Sequence, residues 1–244
     1  MKIIATIEAR MTSSRLPGKV LLEAAGKPML EHLVKRLQAV PSLNGIVLAT
    51  TINKTDDQLE DLSKILDIDC YRGSENDVMN RVIGAGEFFC ADVIVEITGD
   101  CPIIDPQIVE QVIRIFIANQ YEYVGNAHVR SYPDGMDTQV FRLNTLKRSA
   151  AMTDDELDHE HVTLYIRNHP ESFSQLHVVS PPETHWPELG LTLDESQDYE
   201  LLKKIIEHFN STNPLFSCRD VIKLLKQRPD WVAINKEVIR KGDS

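Results

Sequence analysis

KIIATIEARMTSSRLPGK, residues 2–19, opens the chain with a short β-branched run that breaks into a loop bearing three cations. The run predicts a buried strand over Ile3–Ile7, and Pro17-Gly18 cannot continue it, so Arg10, Arg15 and Lys19 project from a turn ahead of a helix opening near Lys27-Pro28. In an open α/β sheet the turns at the carboxyl ends of the strands are where ligands bind. Two arginines offer planar, bidentate donors and a lysine adds a compact charge, a set suited to a triphosphate rather than a single phosphate.

Outward from this loop, β-branched runs alternate with amphipathic segments, the pattern of βαβ units around a parallel sheet. Further strands are expected at 45–49, 68–71 and 92–97, and helices at 29–40, 58–66, 78–89 and 106–118. Asp105 followed by Pro106 makes a clear start for the last of these. Beyond Tyr121 the pattern loosens into shorter strands at 121–124, 137–141, 175–179 and 191–193, with a helix near 159–168. This reads as an α+β extension covering the ligand edge of the sheet, closed by helices at 197–209 and 218–226. The fold class expected is therefore α/β, one domain over 1–228, with a peripheral tail from 229 to 244.

At 244 residues the chain can bury one large α/β core. Its 37 acidic against 26 basic residues give a net charge of -11, which disfavours nucleic acid or an anionic membrane as partner. Cys70, Cys90, Cys101 and Cys218 show no C-x-x-C spacing, and no apolar run approaches a membrane span, so a cytoplasmic protein is expected. The P-loop, the dinucleotide-binding G-x-G-x-x-G and the G-x-S-x-G elbow are all missing.

A triphosphate needs a divalent metal, and magnesium takes one or two carboxylates together with phosphate oxygens. Asp100, in VEITGDCP, directly follows a predicted strand, with Gly99 permitting a close turn, and should emerge at the same sheet edge as the basic loop. Asp194, in LTLDESQD, also ends an apolar run, although capping the next helix would explain it equally well. Arg72-Gly73-Ser74-Glu75-Asn76-Asp77 joins a strand to a helix and could meet a nucleobase, or form an ordinary capped turn. The polar loop 130–137 could contact a second substrate or be a surface turn. Asp158-His159-Glu160-His161 lacks the spacing of a zinc site.

With these segments in hand, the sequence resembles the sugar nucleotidyltransferases related to the acylneuraminate and 3-deoxy-manno-octulosonate cytidylyltransferases, and within them the spore-coat polysaccharide biosynthesis protein F group. The resemblance rests on ARMTSSRLPGKVL with GKPML behind it (9–30), RGSENDVMNR (72–81) and TGDCPIIDP (98–106). It continues through YPDGMD (132–137), EHVT (160–163) and LTLD followed by Asp198, reaching about Glu207. It implies a nucleotide-diphospho-sugar transferase (GT-A-like) fold and transfer of CMP from CTP to a sugar acid, with release of pyrophosphate, in surface polysaccharide or glycan biosynthesis. By the same resemblance Ala9, Arg10, Arg15, Lys19, Ala49, Thr50, Arg72, Gly73, Ser74 and Asp77 would contact the nucleotide. Arg10, Arg15, Lys19 and Asp100 would act in catalysis, Asp100 and Asp194 would hold Mg2+, and Asp134, Asp137, Glu160 and His161 would face the acceptor. Relatives of the octulosonate type often carry an acidic residue after Ala-Thr where this chain has Thr51, so another NTP stays open. Two other readings are a GT-A-type glycosyltransferase using a nucleotide-sugar donor and a nucleotide-sensing protein without catalysis. The apolar, irregular segment 121–141 is the candidate surface for a homodimer.

Overall fold

The computed structural model describes residues 1–240. In chain order its strands are β1 (Ile3–Glu8), β2 (Glu23–Ala24), β3 (Lys27–Pro28), β4 (Gly45–Thr51), β5 (Asp69–Gly73), β6 (Val93–Thr98), β7 (Tyr123–Gly125), β8 (Gln139–Arg142) and β9 (Gln175–His177). Its helices are α1 (Met29–Leu37), α2 (Asp57–Ile65), α3 (Val78–Phe88), α4 (Pro106–Ala118) and α5 (Leu143–Ala150), followed by α6 (Glu156–Glu160), α7 (Leu164–Asn168), α8 (Ser196–Phe209), α9 (Cys218–Gln227) and α10 (Pro229–Val232). Seven strands form the main sheet in the order β5-β4-β1-β6-β8-β7-β9, and β2 and β3 make a small separate hairpin.

β1 pairs in parallel with β4 on one side and with β6 on the other. The chain therefore winds outward from β1 through β4 to β5 and then returns across β1 to β6. That reversal opens a crevice outside the carboxyl ends of β1 and β6. β8 runs antiparallel to both β6 and β7, which makes the sheet mixed on that side only.

Strand alternation divides the core. Ile3, Ala5 and Ile7, with Leu48, Val95 and Ile97, face a layer built by Leu30, Leu33 and Val34 of α1, Leu59 of α2 and Val109, Val112 and Phe116 of α4. Ile4, Val47, Ala49 and Ile94 face the opposite layer, with Met79 and Val82 of α3, Leu146 of α5 and Ile166 of α7. A third cluster joins Tyr132, Met136, Leu189, Leu191 and Leu193 to the buried faces of α8 and α9. α4 starts as anticipated, with Asp105 Oδ1 accepting from Gln107 N at 2.8 Å and proline in the first turn.

Several expectations change. Residues 191–193 form no strand: neighbouring Gly190 makes an isolated bridge to Asp134, Leu191 N donates to Asp134 O at 2.8 Å, and Leu193 N donates to Asp100 O at 2.8 Å. The segment ties two separate loops together, so no ladder can propagate along it. The helix expected near 159–168 is two short ones, interrupted at 161–163 where Val162 takes φ 44°. α5 was not anticipated from the sequence. Segment 121–141 turns Tyr123, Met136, Val140 and Phe141 inward, all fully buried, while Val129 stays exposed. Against the expectation of a peripheral tail from 229, Asn235, Val238 and Arg240 are buried; residues 241–244 lie outside the described residues. Among the described residues no helix is long and apolar enough to cross a membrane, and all four cysteines are free thiols.

Candidate active site

The loop after β1 is closed by its own backbone, Gly18 N donating to Met11 O at 2.9 Å and Lys19 N to Leu16 O at 3.2 Å. Lys19 then begins a single 3-10 turn, Lys19–Leu21, anchored by buried Val20. A buried carboxylate fixes the loop from the side: Asp56 Oδ1 accepts from Met11 N at 2.8 Å, and its Oδ2 accepts from Thr50 Oγ1 at 3.1 Å and Thr51 Oγ1 at 2.5 Å. The basic loop and the end of β4, where Ala49 and Thr50 are buried, are thus one rigid unit.

The two candidate carboxylates, 94 positions apart in the chain, meet at Lys19. Its Nζ lies 3.2 Å from Asp100 Oδ2 and 3.0 Å from Asp194 Oδ1. Arg15 Nη2 lies 2.8 Å from the same Asp194 oxygen. Gly99 permits this approach, because a Cβ there would stand 2.8 Å from Glu8 O and 2.9 Å from Ala9 Cβ. Burial would lower the Lys19 pKa, but the two carboxylates outweigh it and hold the ammonium above its ordinary value. For Asp100 burial opposes ionisation, and Lys19 reverses that, leaving the carboxyl below its usual range. Arg10 stands apart from this group, its Nη1 3.4 Å from Glu75 Oε1, and Glu75 also accepts from Thr12 Oγ1 at 2.5 Å and Asn53 Nδ2 at 2.6 Å.

The strand-to-helix turn after β5 is largely engaged in holding itself. The Arg72 guanidinium donates to Thr51 O and Asn53 O at 2.8 and 2.7 Å and pairs with Asp57 and Glu60, tying β5 to the start of α2. Gly73 O accepts from Ile52 N at 3.1 Å, and Ser74 Oγ accepts from Asp77 N at 3.2 Å. Asp77 caps α3 and accepts from His159 Nδ1 at 2.9 Å. Two further cations reach this turn, Arg81 donating to Ser74 O and Glu75 O and Arg10 pairing with the Glu75 side chain.

Asp134 and Asp137 lie near enough to Asp100 to feel its charge, whereas Glu160 and His161 sit at the exposed end of α6. Burial pushes the Asp137 carboxyl up to about 7, with Asp134 adding to it and Arg130 opposing. Burial likewise raises Asp134 to about 6 against Arg130 and Arg240. Beneath them Glu96, raised to about 7 chiefly by burial, accepts from Gln139 Nε2, while Gln139 Oε1 accepts from Tyr123 Oη at 2.7 Å and Thr163 Oγ1 at 2.6 Å. Glu8, buried beside Glu96, is also raised, burial and the Glu96 charge outweighing Thr6 and Arg81. Sequence reasoning missed this floor. Its one signal was Glu96 inside the apolar run Val93-Ile94-Val95, a charge where a buried strand should have none.

These raised carboxyls carry a stability consequence. Between about pH 4 and pH 7 the folded chain holds protons on Asp134, Asp137 and Glu96 that the unfolded chain releases, so stability falls as pH rises through that window. The ligand-free protein should lose about 1 kcal/mol or more of unfolding free energy per pH unit there. Urea unfolding at a series of pH values checks it, and a curve that is flat or rising from pH 5 to about 7 contradicts it.

A family model described as cytidylyltransferase matches residues 4–227, and the chain belongs to that family. It is 34% identical over 237 residues to the spore coat polysaccharide biosynthesis protein SpsF of Bacillus subtilis, covering 93% of this chain and 95% of that one. It superimposes on a cytidylyltransferase from Leptospira borgpetersenii with a TM-score of 0.92 at 31% identity, over 98% of this chain and 100% of the other. The CTP complex of CMP:2-keto-3-deoxy-manno-octonic acid synthetase shares the fold, with a TM-score of 0.65 at 17% identity over 85% of this chain and 99% of that one.

Proposed function

We propose that this enzyme transfers CMP from CTP to a hydroxyl of a small sugar acid or related acceptor, releasing pyrophosphate, as an activation step in surface polysaccharide or glycan biosynthesis in the cytoplasm. The observation that carries this reading is the convergence of Lys19, Arg15, Asp100 and Asp194 at the crevice beside β1 and β6 in a member of the cytidylyltransferase family.

In nucleotidyl transfer an acceptor oxygen attacks the α-phosphorus in line, so the protein chiefly positions two anionic reactants and neutralises developing charge. In the ligand-free enzyme each candidate phosphate cation already faces a carboxylate, Lys19 with Asp100 and Asp194, Arg15 with Asp194, Arg10 with Glu75. A triphosphate would take over these cations, Lys19 and Arg15 at the α-phosphate and leaving pyrophosphate and Arg10 nearer the rim. Ala9, Ala49 and Thr50 would form the wall against the base, with the 72–77 turn at its edge. Asp134 and Asp137 would face the acceptor.

The residues fit Mg2+. Carboxylate oxygens of Asp100 and Asp194 already converge on one cationic atom, and two carboxylates leave coordination positions for phosphate oxygens and water. Bound there, the ion would screen phosphate charge and lower the pKa of the acceptor hydroxyl.

The test is pyrophosphate release from each of the four NTPs with Mg2+ and a panel of octulosonates, nonulosonic acids and smaller carboxylated or phosphorylated polyols. CTP-selective release with one acid class is expected. Silence with every acceptor, combined with heat of binding for UDP-sugars and none for CTP, would replace this reading with glycosyl transfer.

A further inference from the structure

The family match ends at residue 227, yet the segment beyond it reaches into the site. Three of its residues, Asn235, Val238 and Arg240, are buried, and their polar contacts fall on the loops that carry the candidate catalytic groups. Asp198, with no exposed surface, is the hub. Its Oδ2 accepts from the backbone N–H of Asp194 at 3.1 Å and of Glu195 at 2.9 Å, while its Oδ1 accepts from Asn235 Nδ2 at 2.8 Å and Arg240 Nη2 at 3.0 Å. Arg240 Nε lies 3.4 Å from Asp134 Oδ2, and Arg240 Nη1 donates to Val238 O at 3.2 Å. One position earlier, Ile239 O accepts from Arg15 Nη1 at 3.1 Å.

We propose that residues 235–240 are a strap that works as part of the active site, with Arg240 as its positioning residue. Through Asp198 the Arg240 guanidinium fixes the backbone of Asp194, its charge 3.4 Å from Asp134 Oδ2 attracts that carboxylate, and the neighbouring Ile239 carbonyl aims Arg15 at Asp194. This rests on the reading of Asp194 and Arg15 as metal and triphosphate groups.

Helix capping alone does not explain the arrangement. The reciprocal box between Glu195 and Asp198 already satisfies the start of α8, and it needs no arginine from the far end of the chain. A buried guanidinium gripping two carboxylates is instead suited to fixing orientation, because its donors form a rigid planar fork. The fit is tight: a Cβ on Gly190 would stand 1.7 Å from Arg240 Nη2. Gly190 O also accepts from Asn235 Nδ2 at 3.0 Å, so the strap is held on both sides of that position.

The test compares the full-length protein with Arg240→Ala, Arg240→Lys and Gly190→Ala, the last evicting the guanidinium while leaving Arg240 in the chain. Mn2+ binding in the presence of CTP is read by electron paramagnetic resonance well below each variant's melting temperature, alongside kcat and KM for CTP. Arg240→Ala and Gly190→Ala should each weaken Mn2+·CTP binding about tenfold and raise KM more than they lower kcat, with Arg240→Lys recovering part of the loss. A merely structural strap would lower the melting temperature and leave the Mn2+·CTP affinity of the folded protein unchanged, and that result overturns the proposal. Wild-type protein that binds Mn2+·CTP while every variant binds equally well sinks the strap and leaves the function standing. Wild-type protein that does not bind it at all removes both.

Discussion

Lys19→Ala should lower the rate of pyrophosphate release by about 10²–10³-fold, the loss typical of removing one preorganised group from a charge-stabilising site. The ammonium is only 12% exposed and bridges Asp100 and Asp194, whereas Arg15 pairs with Asp194. The same substitution should improve binding of a bare divalent ion in the absence of nucleotide. With the ammonium gone, Asp100 loses its lysine partner while Asp194 keeps Arg15, and the excess negative charge favours a bound cation. Loss of turnover with retained or tighter Mn2+ binding identifies Lys19 as a charge-neutralising group acting on substrate and not as a scaffold for the metal ligands. Near-normal turnover would remove Lys19 from the site, and a collapse of both properties would mean that it builds the carboxylate pair. Circular dichroism and the melting temperature keep either result from being mistaken for unfolding.

Asp100→Asn should have an effect of comparable size by the opposite route. The side chain keeps its shape, and Leu193 N keeps its bond to the Asp100 carbonyl, so the two loops stay together. What disappears is a negative charge that burial would suppress and Lys19 maintains. If Asp100 is one of the two carboxylates proposed to hold the ion, its loss should weaken Mn2+·CTP binding and reduce turnover by about 10²-fold or more. Raising Mg2+ should recover part of the rate, because the defect is in ion affinity. A variant whose rate is unchanged across a Mg2+ titration would assign Asp100 to loop structure alone. Asp194→Asn is the informative companion: Asp194 also receives Arg15, so its loss should raise KM for CTP as well as the Mg2+ requirement.

How much of this could be read beforehand depended on where the physical signal lay. The parallel core was legible because β1, β4 and β6 are buried on both faces and therefore read as continuous β-branched runs. The helix at Pro106 announced itself through a cap and a proline, both local features. Segment 191–193 was misread for the converse reason: its apolar residues are buried, as in a strand, but they plug the third core cluster while the backbone answers two unrelated loops. The 72–77 turn could be read as meeting a nucleobase or as an ordinary capped turn, and only the tertiary structure shows the Arg72 donors committed to Asp57 and Glu60. Asp56 gave no signal at all, since a carboxylate in Lys54-Thr55-Asp56-Asp57 is indistinguishable in sequence from a solvated cap.

By itself the sequence determined that a basic loop follows the first buried strand and that Asp100 ends another. The strand order β5-β4-β1-β6, set by the fold, brings those two ends side by side. The tertiary structure decided the rest: that Asp194 joins them, that Lys19 stands between the two carboxylates, and that Arg240, from a tail with no pattern of its own, completes their support. Those pairings link residues separated by 42 to 175 positions. Electrostatic pairing acts across a few ångströms of space and leaves no periodicity along the chain, so it becomes visible only once the chain has folded.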